Sequence, residues 1–341
     1  MRWAVVAPAS IVLGLLFSWW NVPAAWIVAG IAASGAVALG TGRELEVNDS
    51  FYRFGRGVIG MLAGLPLVGV GVPTLASLLV PGLLVAVVTI GIGVLGGLLL
   101  ARREASVSPE TGILSMLAGG ASILPVLAQE LGADYRFVAL TQYLRLLVVS
   151  MTLPLVTAFL PHPGGASPEL TDSRPWFLLL LIAAVAYFGG SLARPLRIPV
   201  PSVLGPLLIT VVLGLAVPQW SLLPPETFRI AAFLAIGWMC GGALSVPALR
   251  VFARQLPATV TFIVVVILAC AGTAVPLAWW LDITYFEAYL ATSPGALETV
   301  LALSAEGGAG PTVVAIQLLR LFTLLVVAGY LPQIIRLVRR A

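Results

Sequence analysis

Two arginines interrupt apolar stretches of this sequence at equivalent positions. Arg145 and Arg320 each lie about nine residues into an apolar run, and a glutamine, Gln142 or Gln317, precedes each by three positions. Residues three apart share one face of a helix, so each pair can act together. Nine residues of helix rise about 13 Å, close to the middle of a hydrocarbon core about 30 Å thick. Guanidinium groups at that depth can contact an anionic substrate or hydrogen bond to backbone carbonyls, and both roles are compatible.

A break in helical pattern precedes each arginine. The first break contains Gly119 and Gly120, and the second contains Ser293, Pro294 and Gly295. Non-helical backbone at membrane depth is tolerated only where protein or a water-filled cavity covers it, so the two tips predict a polar site. The expected substrate-binding residues are Arg145, Arg320, Gln142, Gln317, Gly119, Gly120, Ser122, Thr292, Ser293, Pro294 and Gly295.

One carboxylate lies just beyond the second break. Glu298 has Ile123 as its counterpart in the first half of the chain. An unpaired carboxylate in an apolar environment has a raised pKa and could carry a coupling proton. Alternatively, Glu298 could neutralise Arg320, since charges inside a membrane are usually paired.

These features recur because the chain is duplicated. A shift of 175 residues lays 116–145 over 291–320 without a gap, and it aligns both glutamines and both arginines. Earlier in each half, Gly60 and Gly64 match Gly237 and Gly241, a GxxxG spacing that favours close helix packing. We therefore expect one membrane repeat at 1–160, a connector at 161–175 and a second membrane repeat at 176–341.

Composition indicates a polytopic membrane protein. The 341 residues are 60% hydrophobic and 9% charged, with a mean hydropathy of +1.07, whereas soluble domains are about 25% charged. All 18 basic residues are arginine, without a nucleic-acid motif, so positive charge indicates topology and lipid contact. Cys240 and Cys270 lie apart in apolar runs and His162 is the sole histidine, so neither a metal site nor another cofactor is expected.

Ten apolar runs are long enough to be candidate membrane spans, and two further segments carry Gly, Pro and polar residues at their centres. The candidate spans lie near 3–20, 22–40, 54–72, 77–101, 136–160, 176–193, 199–218, 227–246, 256–281 and 311–335. The two broken segments lie near 109–131 and 286–307.

The arginines select a topology for these segments. If all twelve cross, one side receives eleven arginines and the other five. If the broken segments instead enter and leave on the same side, the split becomes fourteen against two, Arg174 and Arg229. The positive-inside rule favours the second arrangement, with both termini cytoplasmic. The expected fold is all-α, with two inverted repeats, each of about five transmembrane helices plus one re-entrant hairpin.

The repeated motifs resemble the AbrB-type duplicated integral membrane proteins of bacteria, which are distinct from the soluble DNA-binding regulator of that name. The resemblance covers both halves and is strongest at SPGALE with Glu298, at GGASILP, at GAD from Gly132 to Asp134 and at the two arginine helices. The first half departs from the pattern, with Ala118 in place of proline and Ile123 in place of glutamate. Gln317 stands where related sequences often have histidine.

The expected function is secondary transport of a small organic anion across the bacterial inner membrane, with coupling to protons or sodium as an option. The main alternative is a membrane-embedded sensor or regulator of gene expression, a label that the resemblance also carries. A second family label, ammonia monooxygenase, fits poorly because a copper oxygenase needs several imidazoles. No nucleophile and base pair indicates an enzyme. The expected partners are the anion and the lipid bilayer, with a homodimer as one option and no nucleic acid.

Overall fold

A computed structural model describes residues 2–20, 22, 24–104, 107–118, 124–161, 175–196, 198–243 and 257–338. These residues form α-helices joined by turns and short 3₁₀ segments, and no strand occurs among them. In chain order the α-helices are α1 (Trp3–Trp19), α2 (Ala25–Thr41), α3 (Asp49–Gly64), α4 (Val72–Ser77), α5 (Leu79–Arg103), α6 (Pro109–Met116), α7 (Leu124–Glu130), α8 (Tyr135–Ala158), α9 (Trp176–Ala193), α10 (Pro201–Ala216), α11 (Glu226–Gly242), α12 (Pro257–Leu281), α13 (Tyr285–Thr292), α14 (Leu297–Glu306) and α15 (Pro311–Val338).

The two segments predicted to be broken are each divided into two short helices. The first contains α6 and α7, and the second contains α13 and α14, with residues 293–296 non-helical between them. Each of the ten predicted apolar runs is occupied by a longer helix. The run predicted at 54–72 differs most, because α3 ends at Gly64 and a 3₁₀ turn, Leu65–Leu67, follows it.

Fewer helices than expected are long enough to cross a membrane by length and composition. Among the described residues these are Val72–Arg103, Tyr135–Ala158, Trp176–Leu196 and Val260–Leu281. Shorter apolar helices are Trp3–Trp19, Ala25–Thr41, Pro201–Ala216 and Pro311–Val327. A helix of 17 residues, such as α1, spans about 25 Å, less than a hydrocarbon core of about 30 Å. The architecture is thus all-helical among the described residues and compatible with a membrane protein.

Large apolar side chains are exposed in the middle of several helices. Val12 in α1, Leu95 in α5, Leu180 in α9 and Leu268 in α12 are each more than 60% exposed. Broad exposed apolar surface is typical of a face that contacts another apolar phase. These faces are suited to contact with lipid acyl chains.

The chain forms two compact units, and each takes segments from both predicted repeats. Unit 1 comprises 1–72, 151–249 and 298–311, and unit 2 comprises 73–150, 250–297 and 312–341. The shift of 175 residues carries 1–72 onto 176–247 and 73–150 onto 248–325. For most of their length the units therefore contain corresponding parts of the two repeats, and neither unit is one sequence half. The segment 298–311 is an exception, because it belongs to unit 1 and its counterpart 123–136 belongs to unit 2.

Inside unit 1 the helix contacts follow the sequence duplication. Helix α3 packs on α10, and its counterpart α11 packs on α2, the counterpart of α10. At the first contact, a Cβ added to Gly60 would lie less than 3.0 Å from the Val203 carbonyl oxygen. At the second, a Cβ on Gly237 would meet the Ile27 carbonyl in the same way. These glycines serve close backbone packing, as their GxxxG spacing predicts.

Inside unit 2 the short helices pack on the long apolar ones. Helix α6 contacts α5, α13 contacts α12, and α5 and α12 contact each other. The short helices are buried, with Met116 at the end of α6 and Thr292 at the end of α13 almost fully covered. Unit 2 therefore encloses the ends of both short helices, where the sequence predicts a polar site.

Candidate functional site

Two short helices, α6 and α13, have matching beginnings and ends. Ser108 caps α6 by accepting from the Thr111 N–H, and Thr284 caps α13 by accepting from the Glu287 N–H. After eight residues each helix stops at an extended residue, Leu117 or Ser293. Because the last carbonyls of a helix have no partner within it, both ends require hydrogen-bond donors from elsewhere.

Helix α8 supplies the donors for the end of α6. The side-chain amide of Gln142 donates to the carbonyls of Leu114 at 2.7 Å and Leu117 at 3.0 Å. The guanidinium group of Arg145 also donates to the Leu117 carbonyl, and its second nitrogen donates to Gln142 Oε1 at 2.8 Å. The glutamine and the arginine thus form one unit that satisfies the end of α6.

Helix α15 repeats this arrangement at the end of α13. Gln317 donates to the Leu290 carbonyl at 2.6 Å, and Arg320 donates to the Ser293 carbonyl. Of the two roles expected for the arginines, the hydrogen bonds demonstrate the capping of carbonyls. Contact with an anionic substrate stays a prediction.

The two guanidinium groups are buried and close enough to interact electrostatically. Arg145 is 1% exposed and Arg320 is 4% exposed. The charge of Arg320 acts on Arg145, and Cys270 lies within range of both. In the part of the chain that the structure describes, neither arginine forms an ion pair. The Nε atom of Arg145 is also buried and has no hydrogen-bond partner there. The result is a local excess of positive charge in the core of unit 2.

The hydroxyl groups at the second break bond to their own helix. Thr292 Oγ1 donates to the Ala288 carbonyl at 3.0 Å, and Ser293 Oγ donates to the Leu290 carbonyl at 3.2 Å. Pro294 and Gly295 are buried in the non-helical segment that follows. Such local bonds are common for hydroxyls in apolar helices, so the donor of each hydroxyl is already used, and the expected contact of these residues with a substrate stays a prediction.

The first break lies mostly beyond what the structure describes. Gly119, Gly120 and Ser122 fall within 119–123, outside the described residues. Their expected contribution to the site therefore stays a prediction.

The structure identifies a partner for Glu298 that differs from both sequence expectations. Its Oε1 lies 2.6 Å from Nη2 of Arg56, with side-chain exposures of 15% and 24%. The carboxylate is therefore not unpaired, and its ion-pair partner is not Arg320. The physical reason is that Glu298 lies in the first turn of α14 and belongs to unit 1 together with α3, whereas Arg320 donates to Ser293 within unit 2.

Arg56 is not among the site residues that the sequence predicts. The arginine split places it on the cytoplasmic side, although it falls inside the candidate span 54–72. A charge inside an apolar run is a signal that could have identified it. Its guanidinium group also lies over the Tyr52 ring, 5.5 Å from the centroid, which helps to orient it.

Comparison with known proteins agrees with the motifs around these residues. Residues 26–339 match the family described as "Transition state regulatory protein AbrB". A protein of Escherichia coli (strain K12) named "Putative regulator AbrB" is 31% identical over 347 residues, which cover 98% of this chain and 97% of that protein. Because the match extends over nearly all of both chains, this chain belongs to the AbrB family.

Proposed function

We propose that this protein is a secondary transporter of the bacterial inner membrane that moves a small organic anion. The observation that carries the proposal is the buried pair of Arg145 and Arg320, which has no carboxylate partner among the described residues. Buried charge is costly unless it is compensated. An anionic ligand between or beside the two guanidinium groups would provide that compensation.

The geometry of Arg145 supports a binding role alongside its capping role. A guanidinium group has five N–H donors in a planar fork that suits carboxylates. Arg145 uses two of its nitrogens on Leu117 and Gln142, and its Nε is without a partner among the described residues. The hydrogen bonds that hold the tip also fix the direction of the fork, so the remaining donors would be preorganised for a ligand.

The proposed architecture consists of two inverted repeats with re-entrant hairpins at 109–131 and 286–307. Three observations support it: the fourteen-to-two arginine split, the paired contacts α3 with α10 and α11 with α2, and the repeated hydrogen bonds at the ends of α6 and α13. Inverted repeats with broken helices near the substrate are typical of secondary transporters. Both termini would then be cytoplasmic.

Glu298 is the proposed coupling residue, with Arg56 as its partner. A proton on Glu298 would remove one charge of the pair and weaken the contact between α3 and α14. Because Glu298 directly follows the second break, such a change could be transmitted to the tip. Proton binding would thus act through one contact in unit 1, the ion pair of Arg56 and Glu298.

A sensor or regulator is the second candidate, because the related protein is named a regulator. A membrane sensor and a transporter can share a binding site and differ in whether the ligand crosses. Neither role requires an enzymatic step, and we propose none for this chain.

Uptake into proteoliposomes separates the two candidates. A library of labelled organic anions is presented to vesicles that contain the purified protein, with and without a pH gradient, and to protein-free vesicles. A transporter accumulates at least one anion inside the vesicles. A sensor binds an anion in proportion to the protein present and leaves the vesicle interior unlabelled.

A further inference from the structure

Unit 1 contains a charged cavity, which shares no residue with the arginine pair of unit 2. Its volume is about 330 Å³, at the lower end of the range for small-ligand pockets. Residues of α2, α3 and α11 line it, together with the last turn of α14 and the link that follows. Three charged residues face it, namely Glu226, Arg229 and Glu306.

Two of the side chains that line this cavity each carry a buried atom without a hydrogen-bond partner in the described part of the chain. They are Oε2 of Glu306 and Nε of Arg229. The Ala25 N–H at the start of α2 lies close enough to the Glu306 carboxyl to lower its pKa, so the carboxyl is not without polar neighbours. Neither residue forms an ion pair within 4.0 Å among the described residues. Two side chains of opposite charge thus line one cavity without forming an ion pair with each other.

The remaining walls are apolar. Trp26, Leu62, Ile230 and Phe233 line the cavity beside the charged groups. A ligand that fits these walls would carry a short aliphatic or aromatic body. In the topology predicted from the arginines, the start of α11 and the link after Glu306 lie on the outer side, so the ligand would enter from outside the cell.

We propose that this cavity binds a small zwitterion with an apolar body, such as a branched or aromatic α-amino acid. The ligand carboxylate would accept from Arg229, and its ammonium group would donate to Glu306. A simple amine would leave Arg229 without a partner, and a simple acid would leave Glu306 without one. Glu226, which is exposed and three residues before Arg229 on the same helix, would add attraction for the ammonium group.

Titration of Glu306 should make the affinity for the zwitterion depend on pH. Glu306 ends α14, outside the candidate spans, and burial raises the pKa of its carboxyl to about 8, against the lowering effects of Arg229 and the Ala25 N–H. Only the ionised carboxylate attracts an ammonium group. A free amino acid stays zwitterionic between pH 6 and 8, whereas the ionised fraction of a carboxyl with a pKa of about 8 rises from about 1% to about 50% over that range, so the affinity should rise by up to about fiftyfold.

The test is equilibrium binding of labelled L-leucine to the purified full-length protein. We expect saturable binding, with competition by L-phenylalanine and weak competition by 4-methylpentanoate, which lacks the amine, and by 3-methylbutylamine, which lacks the acid. Arg229→Gln and Glu306→Gln should each weaken binding by about tenfold or more, because each removes a charge-assisted hydrogen bond. Arg102→Gln and Glu104→Gln, at the exposed end of α5, are matched controls that should bind as the wild type does.

A second measurement does not depend on these charge changes. Ile230→Cys, in a chain with Cys240 and Cys270 replaced by alanine, should react with a water-soluble thiol reagent, and leucine should slow the reaction. The proposal is overturned if leucine does not bind saturably, if the acid or the amine alone binds as tightly, or if leucine leaves the reaction at position 230 unchanged. Because these experiments measure binding to unit 1, their outcome is independent of whether the protein transports an anion.

Discussion

Arg56 and Glu298 join α3 to the first turn of α14 through an ion pair of 2.6 Å. Both side chains are mostly buried, and the guanidinium group also lies over Tyr52. A carboxylate in the first turn of a helix is further stabilised by the helix dipole. The contact fixes the start of the helix that follows the second break.

A double-mutant cycle tests this ion pair. Glu298→Gln or Arg56→Gln alone leaves a partly buried charge without its partner, and each should destabilise the fold by about 1–3 kcal/mol, between the values for exposed and buried pairs. The double variant should recover part of the loss, because it leaves neither charge behind. Thermal unfolding of the three variants in detergent measures the effect. Purely additive losses would mean that the pair does not couple, and rescue of Glu298→Gln by Arg320→Gln instead would contradict the assignment of Arg56.

Close packing at Gly60 predicts that even one added methyl group there destabilises unit 1. A Cβ there would overlap the Val203 carbonyl, so Gly60→Ala should destabilise unit 1 by about 1–3 kcal/mol through overpacking. Gly91 in α5 is the matched control, since nothing lies within 4 Å of an added Cβ and alanine favours helix. The thermal unfolding midpoint should therefore fall for Gly60→Ala and stay level or rise for Gly91→Ala. Equal effects at both positions would argue against the packing of α3 on α10.

The helices and shared faces of the two arginines can be predicted from the sequence because their signals are local and repeated. Gln142 and Arg145 interrupt an apolar helix at a fixed spacing, and Gln317 and Arg320 do so again, so their helices and shared faces could be predicted without a structure. The ion-pair partner of Glu298, in contrast, could not be predicted from the sequence. Its partner Arg56 lies in the other half of the chain, and only the packing of α3 near α14 brings the two charges together.

The cavity of Arg229 and Glu306 also could not be predicted from the sequence. Arg229 and Glu306 each lie near the end of an apolar segment, where charges usually mark the edge of the membrane. No spacing rule connects them, because α11 and α14 are far apart in the chain. Their common cavity follows from the way α2, α3 and α11 pack, which depends on the glycine contacts and not on the charges themselves.

Substitution of Arg320 separates the capping role from ligand binding. Lysine keeps the positive charge but lacks the planar fork, whereas glutamine loses the charge. Both Arg320→Lys and Arg320→Gln should lower the thermal unfolding midpoint, because both weaken the bond to the Ser293 carbonyl. Anion binding should survive within about tenfold in the lysine variant and fall by about a hundredfold or more in the glutamine variant. If binding follows stability equally in both variants, the arginine has only a capping role.

Thiol labelling tests the inverted topology. Single cysteines at positions 103, 254 and 282 are introduced into a chain that has alanine at Cys240 and Cys270. An impermeant reagent applied to intact cells should label position 282, and positions 103 and 254 should react only after the membrane is opened. Labelling of 103 and 254 from opposite sides would contradict the inversion. Four predicted spans and the broken segment 109–131 lie between these positions, and they share a side only if the broken segment does not cross.

Counterflow is the most direct measurement of the proposed transport. Proteoliposomes are loaded with an unlabelled anion from the uptake screen and diluted into a trace of the same anion with a label, without an ion gradient. We predict that the label enters transiently above its equilibrium level with wild-type protein, and that Arg145→Gln and Arg320→Gln vesicles show no such entry. The Gly91→Ala protein should behave as the wild type does. Label retained only in proportion to the protein, with no entry into the vesicles, would contradict transport and favour a sensor.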